Sequence, residues 1–456
     1  MRKNLLLSAF LFCNLFTTNA QSWTKVGTGA NALNANGSIS SICADNAGNI
    51  YAAGTFGDSN YYNYVAKWDG TTWSKLGTVA NAIKLKSISG ISSICVDPFE
   101  NVYALIDEDS ISIYKWDGTS WSEFLVPGTA INDAMCTDKF GNFYTWRYVN
   151  DSTVVIKWNG TSWEKLGNTL QTITNGIYGG LCTDTKGNIY ASGHFNNMNG
   201  NYYVAKWDGS TWTALFSDTN NLLSNPDGIS ICTDLKDNLY LIGNNLLDKS
   251  NLTYVAKWNG SYWSELGSFN IYNPNSSIGI DAPLNTFCVD TMENVYTTSN
   301  ITDMYGNYYV TEWNGEEWNE IPPTSSINAI YSLFTAPIAT LCSDRTGNIY
   351  AGGVFNEGGI YNVYEYSPLA ILTGVASITN TSTIAAYPNP TTGSLTINSP
   401  EGGQVVVYNA LGEAIVTQAV AVGNSTISLE KAATGIYTIL LTGQTNSYAP
   451  VKVVKN

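Results

Sequence analysis

One ten-residue phrase recurs seven times along the chain and limits the folds that are open to it. Each copy holds a cysteine, an aspartate, an asparagine and a tyrosine at fixed positions, as in "ICADNAGNIY" at 42–51 and "LCSDRTGNIY" at 341–350. The cysteines of consecutive copies are 41 to 56 residues apart. A repeat of this length, divided into four strand-like segments by short turns, is typical of a β-propeller blade. We therefore predict an all-β chain that contains a seven-bladed β-propeller.

A second phrase predicts how the ring of blades closes. We name the four strands of a blade A to D, from the axis outwards. In six copies, such as "WDGTTW" at 68–73, two tryptophans flank an Asp-Gly or Asn-Gly turn between strands C and D. The seventh pair is divided, because Tyr366 stands at the first tryptophan position of the last blade and Trp23 stands at the second. We predict that strand 22–27 completes the last blade and leaves no open sheet edge.

The blade units also resemble a known class of repeats. Over residues 22–367 they are similar to the Trp-Asp-Gly-containing propeller repeats of secreted bacterial proteins. This resemblance implies the fold and says little about activity. We assign the propeller to residues 21–367 and a linker to the uncharged, Ser/Thr-rich residues 368–384.

The N-terminus and the charge balance indicate an exported protein. Residues 1–20 have the layout of a secretory signal peptide, with two basic residues, an apolar stretch from Leu5 to Phe16 and cleavage after Ala20. The formal net charge is −15, although charged residues make up only 12% of the chain. An acidic surface disfavours nucleic acid and anionic membranes as partners. We expect a monomer that binds no nucleic acid.

The C-terminal segment, residues 385–456, alternates β-like stretches with Gly/Asn turns, which predicts a small β-sandwich. It is similar to the type A C-terminal sorting domain of the type IX secretion system of Bacteroidetes. The residues that match this family are Tyr387, Pro388, Asn389, Pro390, Gly393, Val407, Tyr408, Asn409, Gly412, Gly435, Ile436, Tyr437, Lys452, Val453, Val454, Lys455 and Asn456.

This resemblance implies export across the outer membrane by the secretion machinery. It also implies removal of the domain by a sortase-like enzyme, followed by release or by attachment to the outer surface. It implies no catalysis by the domain itself. An ordinary accessory β-sandwich is the alternative.

Few residue patterns point to catalysis or to metal binding. His194 is the single histidine, and no Gly-x-Ser-x-Gly phrase accompanies it. The seven repeated cysteines are expected to be small buried side chains rather than disulfides or a metal ring. Each repeated aspartate is expected to cap a turn, because it has too few oxygen neighbours for calcium. Arginine occurs only at positions 2, 147 and 345, so an arginine-lined anion site is not expected. We predict no cofactor and no metal.

The lysines before the first tryptophan of each pair are expected to lie across aromatic rings. They are Lys67, Lys115, Lys157, Lys206 and Lys257.

Loop lengths distinguish the two faces of the predicted disc. The A–B and C–D turns are nearly constant in length and form the turn face, whereas the B–C and D–A connections vary and form the variable face. The variable-face loops are rich in tyrosine and asparagine, which suit carbohydrate or protein surfaces. The candidate ligand-binding residues on these loops are Tyr61, Tyr62, His194, Asn197, Tyr202, Tyr305 and Tyr308.

Three functions remain open from the sequence. The favoured one is a non-catalytic binding or adhesion module for glycan or protein, secreted or held at the cell surface. The second is a polysaccharide lyase or glycosidase that uses the central depression, although no acid/base pair is recognisable. The third is a surface scaffold that has no small ligand.

Overall fold

The computed structural model describes residues 22–78, 80–83, 90–107, 111–149, 152–167, 178–193, 203–215, 227–244, 246, 253–269, 284–302, 306–321, 334–368, 385–409, 414–443 and 451–456. The chain divides into two compact units, Met1–Pro368 and Leu369–Asn456. The predicted signal peptide and the predicted linker from residue 369 onwards lie outside the described residues. Within the described ranges, no helix is long and apolar enough to cross a membrane.

Seven four-stranded antiparallel sheets make up the described part of the first unit. The A strands are β2 (Ile39–Ala44), β6 (Ile91–Val96), β10 (Thr129–Thr137), β14 (Tyr178–Thr183), β18 (Asp227–Thr233), β22 (Leu284–Val289) and β26 (Ile338–Ser343). The B strands are β3 (Ile50–Gly54), β7 (Val102–Asp107), β11 (Phe143–Val149), β15 (Ile189–Gly193), β19 (Leu239–Asn244), β23 (Val295–Thr302) and β27 (Ile349–Gly353).

The outer strands of each sheet begin or end at the tryptophan pair. The C strands are β4 (Ala66–Trp68), β8 (Ile111–Trp116), β12 (Ser152–Trp158), β16 (Tyr203–Trp207), β20 (Thr253–Trp258), β24 (Tyr308–Trp313) and β28 (Tyr364–Tyr366). The D strands are β5 (Trp73–Lys75), β9 (Trp121–Glu123), β13 (Trp163–Lys165), β17 (Trp212–Leu215), β21 (Trp263–Phe269), β25 (Trp318–Ile321) and, for the last blade, β1 (Thr24–Lys25). A short 3₁₀ helix, Gly29–Asn31, follows β1.

The A strands form a closed ring around the axis. Each contacts the A strand of the next blade, and β26 contacts β2, so the seventh blade lies against the first. Side-chain hydroxyls reinforce this ring, because Thr183 Oγ1 donates to the Thr137 carbonyl at 2.9 Å and Thr233 Oγ1 donates to the Thr183 carbonyl at 2.7 Å. The B strands are buried on both faces, as in Ile50–Gly54, which explains why small and apolar residues predominate in them. The predicted β-propeller is confirmed, and the seven described four-stranded sheets fit the predicted number of blades.

The N-terminal strand closes the last blade. β1 pairs antiparallel with β28, and Val26 N donates to the Val363 carbonyl at 2.9 Å. The rings of Trp23 and Tyr366 are 5.4 Å apart, close to the 5.8 Å between Trp68 and Trp73 in the first blade. The predicted division of the seventh pair is therefore confirmed.

The six undivided tryptophan pairs join neighbouring blades through the indole N–H of the second member. Trp73 Nε1 donates to the Val26 carbonyl at 2.9 Å, and Trp212 Nε1 donates to the Leu166 carbonyl at 2.9 Å. Each acceptor lies on strand D of the preceding blade or directly after it. The hydrogen bond sets the distance between two neighbouring blades, and the indole ring fills the space between them.

Four lysines occupy the aromatic positions predicted for them. Their Nζ atoms lie 5.2 to 5.5 Å from the ring centroid of the strand-B tyrosine of the same blade, in the pairs Lys67–Tyr51, Lys115–Tyr103, Lys206–Tyr190 and Lys257–Tyr240. Blades 6 and 7 have glutamates, Glu312 and Glu365, at this position. The substitution places a partly buried carboxyl where the other blades place a cation.

Glu312 shares one hydroxyl with a second carboxylate. The Tyr296 hydroxyl lies 2.7 Å from Glu312 Oε1 and 3.1 Å from Asp290 Oδ2, yet it has a single proton to donate. Burial, with a further contribution from the Asp290 charge, raises the pKa of Glu312 above its ordinary value. Glu312 also faces Tyr366, whose pKa is raised by burial first and then by the Glu312 charge.

Glu312→Lys should stabilise the propeller by about 1 kcal/mol near neutral pH, because the ammonium would lie over Tyr296 and face Asp290. The raised pKa means that folding is favoured while Glu312 is protonated, and this contribution is lost as the pH rises above the ordinary glutamate pKa of 4.5. The gain should therefore be larger near neutral pH than in mild acid, as measured by urea unfolding of the full chain. Glu123→Lys, the same charge change at an exposed strand-D position, is the control. An equal gain from Glu312→Lys at both pH values would contradict this account.

The second unit is a β-sandwich. One sheet contains β29 (Ala385–Tyr387), β30 (Ser394–Ser399) and β33 (Gly423–Ser428), and the other contains β31 (Gly403–Tyr408), β32 (Ala414–Val420), β34 (Gly435–Gly443) and β35 (Val451–Lys455). Alternate residues of both sheets, including Leu395, Val405 and Ile439, form its buried core. Strict alternation of this kind is what the sequence predicted for a small sandwich.

Candidate functional site

Two overlapping cavities open at the propeller axis on the turn face, with volumes of about 480 and 210 Å³. Every blade contributes the same three positions to their walls: the last residue of strand A, the repeated aspartate and the residue after it. We call this region the axial mouth, and it consists of residues 44–46, 96–98, 137–139, 183–185, 233–235, 289–291 and 343–345. The sequence prediction had directed attention to the opposite face.

The aspartates of the axial mouth are committed to the A–B turns. Asp138 Oδ1 accepts the backbone N–H groups of Phe140 at 2.8 Å and Asn142 at 2.9 Å. Asp138 Oδ2 accepts the Asn142 amide at 2.7 Å and the Tyr144 hydroxyl at 2.9 Å. Burial, followed by the Asp138 charge, raises the pKa of Tyr144, which keeps the phenol protonated as a donor.

This pattern recurs around the ring. It explains three of the four fixed residues of the repeat, namely the aspartate, the asparagine and the tyrosine. Asp45, for example, bonds Asn49 at 2.6 Å and Tyr51 at 2.9 Å in the same way. The predicted turn-capping role of the aspartates is confirmed. In the described part of the chain, no group of three His, Cys, Asp or Glu side chains is arranged to hold a metal ion.

Three A–B turns place an acidic residue at a backbone position that favours glycine. Glu100, Asp237 and Glu293 have φ of 63°, 66° and 72°, where the other four blades have glycine. Each acid forms an ion pair, with Glu100 at 2.9 Å from Lys67, Asp237 at 3.0 Å from Lys186, and Glu293 at 2.5 Å from Lys257. These pairs offset part of the backbone strain, and each of them links two neighbouring blades.

The cysteines lie just inside the axial mouth, one per A strand. All seven described cysteines are free, and Cys288 is buried while the other six are largely covered. Burial raises the pKa of each thiol above its ordinary value, as at Cys95 and Cys182. Thiols held protonated in this way are poor nucleophiles and poor metal ligands.

On the variable face, the first blade presents one tyrosine on a loop that is held in place. Tyr61 is 76% exposed and has φ of 65°. Asp58 fixes the loop, because its Oδ1 accepts the backbone N–H groups of Asn60 at 2.9 Å and Tyr62 at 3.1 Å. Asp58 Oδ2 pairs with Lys75 at 2.5 Å, and this hydrogen bond is the main reason that the pKa of Asp58 is lowered.

The seventh blade holds its corresponding loop with the same device. Glu357 pairs at 2.7 Å with Lys25, which stands two residues after Trp23 just as Lys75 stands two residues after Trp73. The Tyr364 hydroxyl also donates to Glu357 at 2.7 Å. Both described B–C loops are thus tied by an acid to the D strand of their own blade.

The other candidate ligand-binding residues have different positions. Tyr62 is partly buried in the Asp58 loop. Tyr308 begins β24 and packs against the core that contains Phe334, so little of it faces outwards. Residues His194, Asn197, Tyr202 and Tyr305 lie outside the described residues.

In the second unit, Asn389 links the Pro-Asn-Pro segment to the C-terminal strand. Its Oδ1 accepts the Val454 N–H at 2.9 Å, and its Nδ2 donates to the Lys452 carbonyl at 2.8 Å. The flanking Pro388 and Pro390 are exposed. Two segments that are more than sixty residues apart in the predicted sorting signal therefore form one surface.

The remaining residues of the predicted signal are placed as follows. The buried Lys455 donates from Nζ to the carbonyls of Ala432 and Glu430, and the Tyr437 hydroxyl donates to the Ala433 carbonyl at 2.6 Å. Gly435 begins β34 and pairs with Lys455, and Asn409 directly follows β31. Gly412 lies outside the described residues.

Comparison with protein families decides the nature of this unit. Residues 385–456 match the family model described as "Secretion system C-terminal sorting domain". This unit is a type IX secretion sorting domain. The sorting domain directs the chain to the cell surface or the extracellular space, and it implies an interaction with the secretion machinery. No curated protein matches the chain in sequence.

Solved structures similar to the chain include three that share 12 or 13% sequence identity with it. PorZ of Porphyromonas gingivalis, described as an essential bacterial surface component of the type-IX secretion system, matches 90% of this chain and 58% of its own at 13% identity and a TM-score of 0.45. The extracellular domain of BT4673 from B. thetaiotaomicron matches 87% of this chain and 47% of its own at 12% identity and a TM-score of 0.48.

The third, YCF48 from Cyanidioschyzon merolae, matches 76% of this chain and 99% of its own at 13% identity and a TM-score of 0.46. The chain thus spans about half the length of the BT4673 extracellular domain and somewhat more than half that of PorZ. Similarities at this level say nothing about ligand or activity.

Proposed function

We propose that this exported propeller is a non-catalytic binding module that holds a glycan or a protein at the cell surface or outside the cell. The observation that carries the proposal is the presentation of Tyr61 on the variable face. A tyrosine that is 76% exposed, at a backbone position disfavoured for side chains, is held there by a loop tied to Lys75. Such a ring is pre-organised for contact, so little conformational entropy is lost on binding.

The chemistry at the axial mouth favours binding over catalysis. Both oxygens of Asp138 already accept two hydrogen bonds each, and Asp45 repeats this arrangement. A general acid or base must be free to exchange a proton with a substrate. Carboxylates that stabilise turns in every blade are poorly suited to that role.

The sorting domain supplies the route by which the module reaches its ligand. We propose that a sortase-like enzyme removes the domain after export, and that the propeller is then released or attached to the outer surface. The surface formed by Asn389 and the C-terminal strand is the part of the domain that we expect the export apparatus to contact, since Pro388 and Pro390 are exposed beside it.

Tyr61→Ala should weaken binding to the ligand of the variable face by about tenfold or more, because an exposed, pre-organised tyrosine is a typical binding hot spot. The full chain would be screened on arrays of bacterial and host glycans and of extracellular-matrix proteins, and the affinity for each hit would be measured for the wild type and the variant. Tyr262→Ala is the matched control. Tyr262 is 62% exposed but lies in a C–D turn on the opposite face, so its removal should leave the affinity unchanged.

Two results would contradict the proposal. Hydrolysis or elimination of any array polysaccharide by the purified chain would establish an enzyme instead. If the hits bind the wild type and Tyr61→Ala equally well, the variable-face loop of the first blade is not part of the binding surface.

A further inference from the structure

The axial mouth contains one position at which the seven blades differ strongly. Within the A–B turns, the aspartate, the asparagine and the tyrosine are the same in every blade. The residue directly after the aspartate is not, and in blade order it is Asn46, Pro98, Lys139, Thr185, Leu235, Thr291 and Arg345. All seven of these side chains line the two axial cavities. A fixed frame that carries a ring of different side chains is the arrangement expected of a recognition site.

Three consecutive blades place unengaged hydrogen-bond donors on one arc of this ring. Thr291, Arg345 and Asn46 belong to blades 6, 7 and 1 and line the smaller cavity together. Within the described part of the chain, none of these three side chains has a hydrogen-bond or ion-pair partner. A guanidinium flanked by an amide and a hydroxyl matches the oxygen atoms of a carboxylate, which accepts a bidentate pair of hydrogen bonds from arginine.

The other cation of the ring is already engaged. Lys139 Nζ donates to the Thr185 carbonyl at 2.8 Å and lies 5.0 Å from the centroid of the Phe140 ring. Arg345 is therefore the cation of the axial mouth that is available to a ligand. Leu235 borders both cavities and supplies an apolar surface next to the donor arc.

The buried aspartates limit the charge that such a ligand can carry. Seven of them surround the axial mouth, each buried and each bound to donors of its own turn. Their summed field opposes anions with several negative charges, such as phosphate or sulfate groups, at distances beyond direct contact. A single carboxylate meets less of this repulsion than a multiply charged anion does, and it can place both oxygens on the Arg345 guanidinium.

We propose that the axial mouth binds a uronic-acid sugar residue, with its carboxylate on Arg345. Its ring hydroxyls bond Asn46 and Thr291, and its apolar ring face lies on Leu235. The smaller cavity, which holds all three donors, has a volume of about 210 Å³ and accommodates one sugar ring, and Asn46, Leu235 and Arg345 also line the larger cavity beside it. This site is on the turn face, so it does not depend on the ligand proposed for the variable face.

The test is a binding titration of the full chain with sodium D-galacturonate and D-glucuronate, and with D-galactose and D-glucose as neutral counterparts. The wild type should bind at least one uronate, while the neutral sugar of the same ring should bind about tenfold more weakly or not at all. Arg345→Gln should lower the uronate affinity by about tenfold, and Arg345→Lys should lower it less. Tri-galacturonate tests whether the uronate comes from a polysaccharide or is a free sugar. Tighter binding of the trimer than of the monomer assigns the site to a polysaccharide end, and equal binding assigns it to the free sugar.

Matched variants make the result decisive. Lys165→Gln removes the same charge from an exposed outer strand and should leave uronate binding unchanged. Tyr61→Ala should also leave it unchanged, so failure of the variable-face proposal would be seen separately. The inference is overturned if no uronate binds at millimolar concentration, if neutral sugars bind as well as uronates, or if Arg345→Gln binds like the wild type while its unfolding midpoint is unaltered.

Discussion

Trp23→Ala should destabilise the propeller by about 3–5 kcal/mol, and by more than Trp263→Ala in the fifth blade. Both tryptophans are 4% exposed, so the transfer and cavity contributions are matched. Trp263 is continuous with its own C strand through a tight turn. Trp23 instead packs across the closing contact, with ring distances of 5.3 Å to Phe334 and 5.4 Å to Tyr366, beside a strand of only two residues. Urea unfolding of the full chain measures the difference.

A phenylalanine series separates packing from hydrogen bonding at the same two positions. Trp263 Nε1 donates to the Leu215 carbonyl at 3.2 Å, whereas the buried Trp23 Nε1 has no partner among the described residues. Trp23→Phe should therefore cost less than Trp263→Phe. Hydrogen exchange at the Val26 amide reports on closure directly, because this group bonds to the seventh blade. Equal losses for the two alanine variants, with Val26 still protected in Trp23→Ala, would mean that the N-terminal strand does not hold the ring closed.

The sequence predicted the ring and its closure because both depend on repeated local chemistry. Seven copies of one phrase fix the number of blades, and the same turn residues fix the hairpins in each. The divided tryptophan pair could be located because Trp23 stands in a strand-D phrase that has no preceding strands, and Tyr366 stands where the next D strand is absent. In a periodic sequence, a strand that is missing from one repeat can be recognised by comparison with the other repeats.

The axial mouth could not be predicted in the same way. The side chains that follow its aspartates come from positions about fifty residues apart and are mostly of different types, so no pattern links Asn46 to Arg345. The signal that was present is the opposite of a motif, namely variation at the positions between the constant aspartate and the constant asparagine. The contact between Asn389 and Val454 was hidden for a related reason, since both residues belong to the predicted signal but nothing in their spacing indicates that they touch.

Local exceptions were visible in the sequence, but their effects depend on three-dimensional contacts. Glu312 replaces a lysine of the repeat, yet only the position of the Tyr296 hydroxyl shows that it shares a proton donor with Asp290. Glu100 likewise replaces a turn glycine, and the strain that this implies is offset by Lys67, which comes from the preceding blade. Departures from a repeat therefore identify where to look, and packing decides what they do.

Asp138→Ala should destabilise the propeller by about 3–5 kcal/mol, because it removes a buried carboxylate and leaves its four donors without an acceptor. These are the backbone N–H groups of Phe140 and Asn142, the Asn142 amide and the Tyr144 hydroxyl. Asp69→Ala is the matched control. Asp69 also accepts two backbone N–H groups of its turn, but it is exposed, so water replaces it there and the loss should be much smaller.

Asp138→Asn tests whether the second carboxylate oxygen matters. An asparagine keeps one oxygen for the two backbone N–H groups, but its NH₂ group would face the Asn142 amide and the Tyr144 hydroxyl, which are themselves donors. The loss should therefore be intermediate, about 2 kcal/mol. Wild-type stability in Asp138→Asn would mean that the amide and phenol bonds contribute nothing. Stabilisation of the wild type by added calcium, absent in Asp138→Asn, would instead show that the aspartates bind a metal ion. Either outcome would require a different account of why the Asp-Asn-Tyr set recurs in all seven blades.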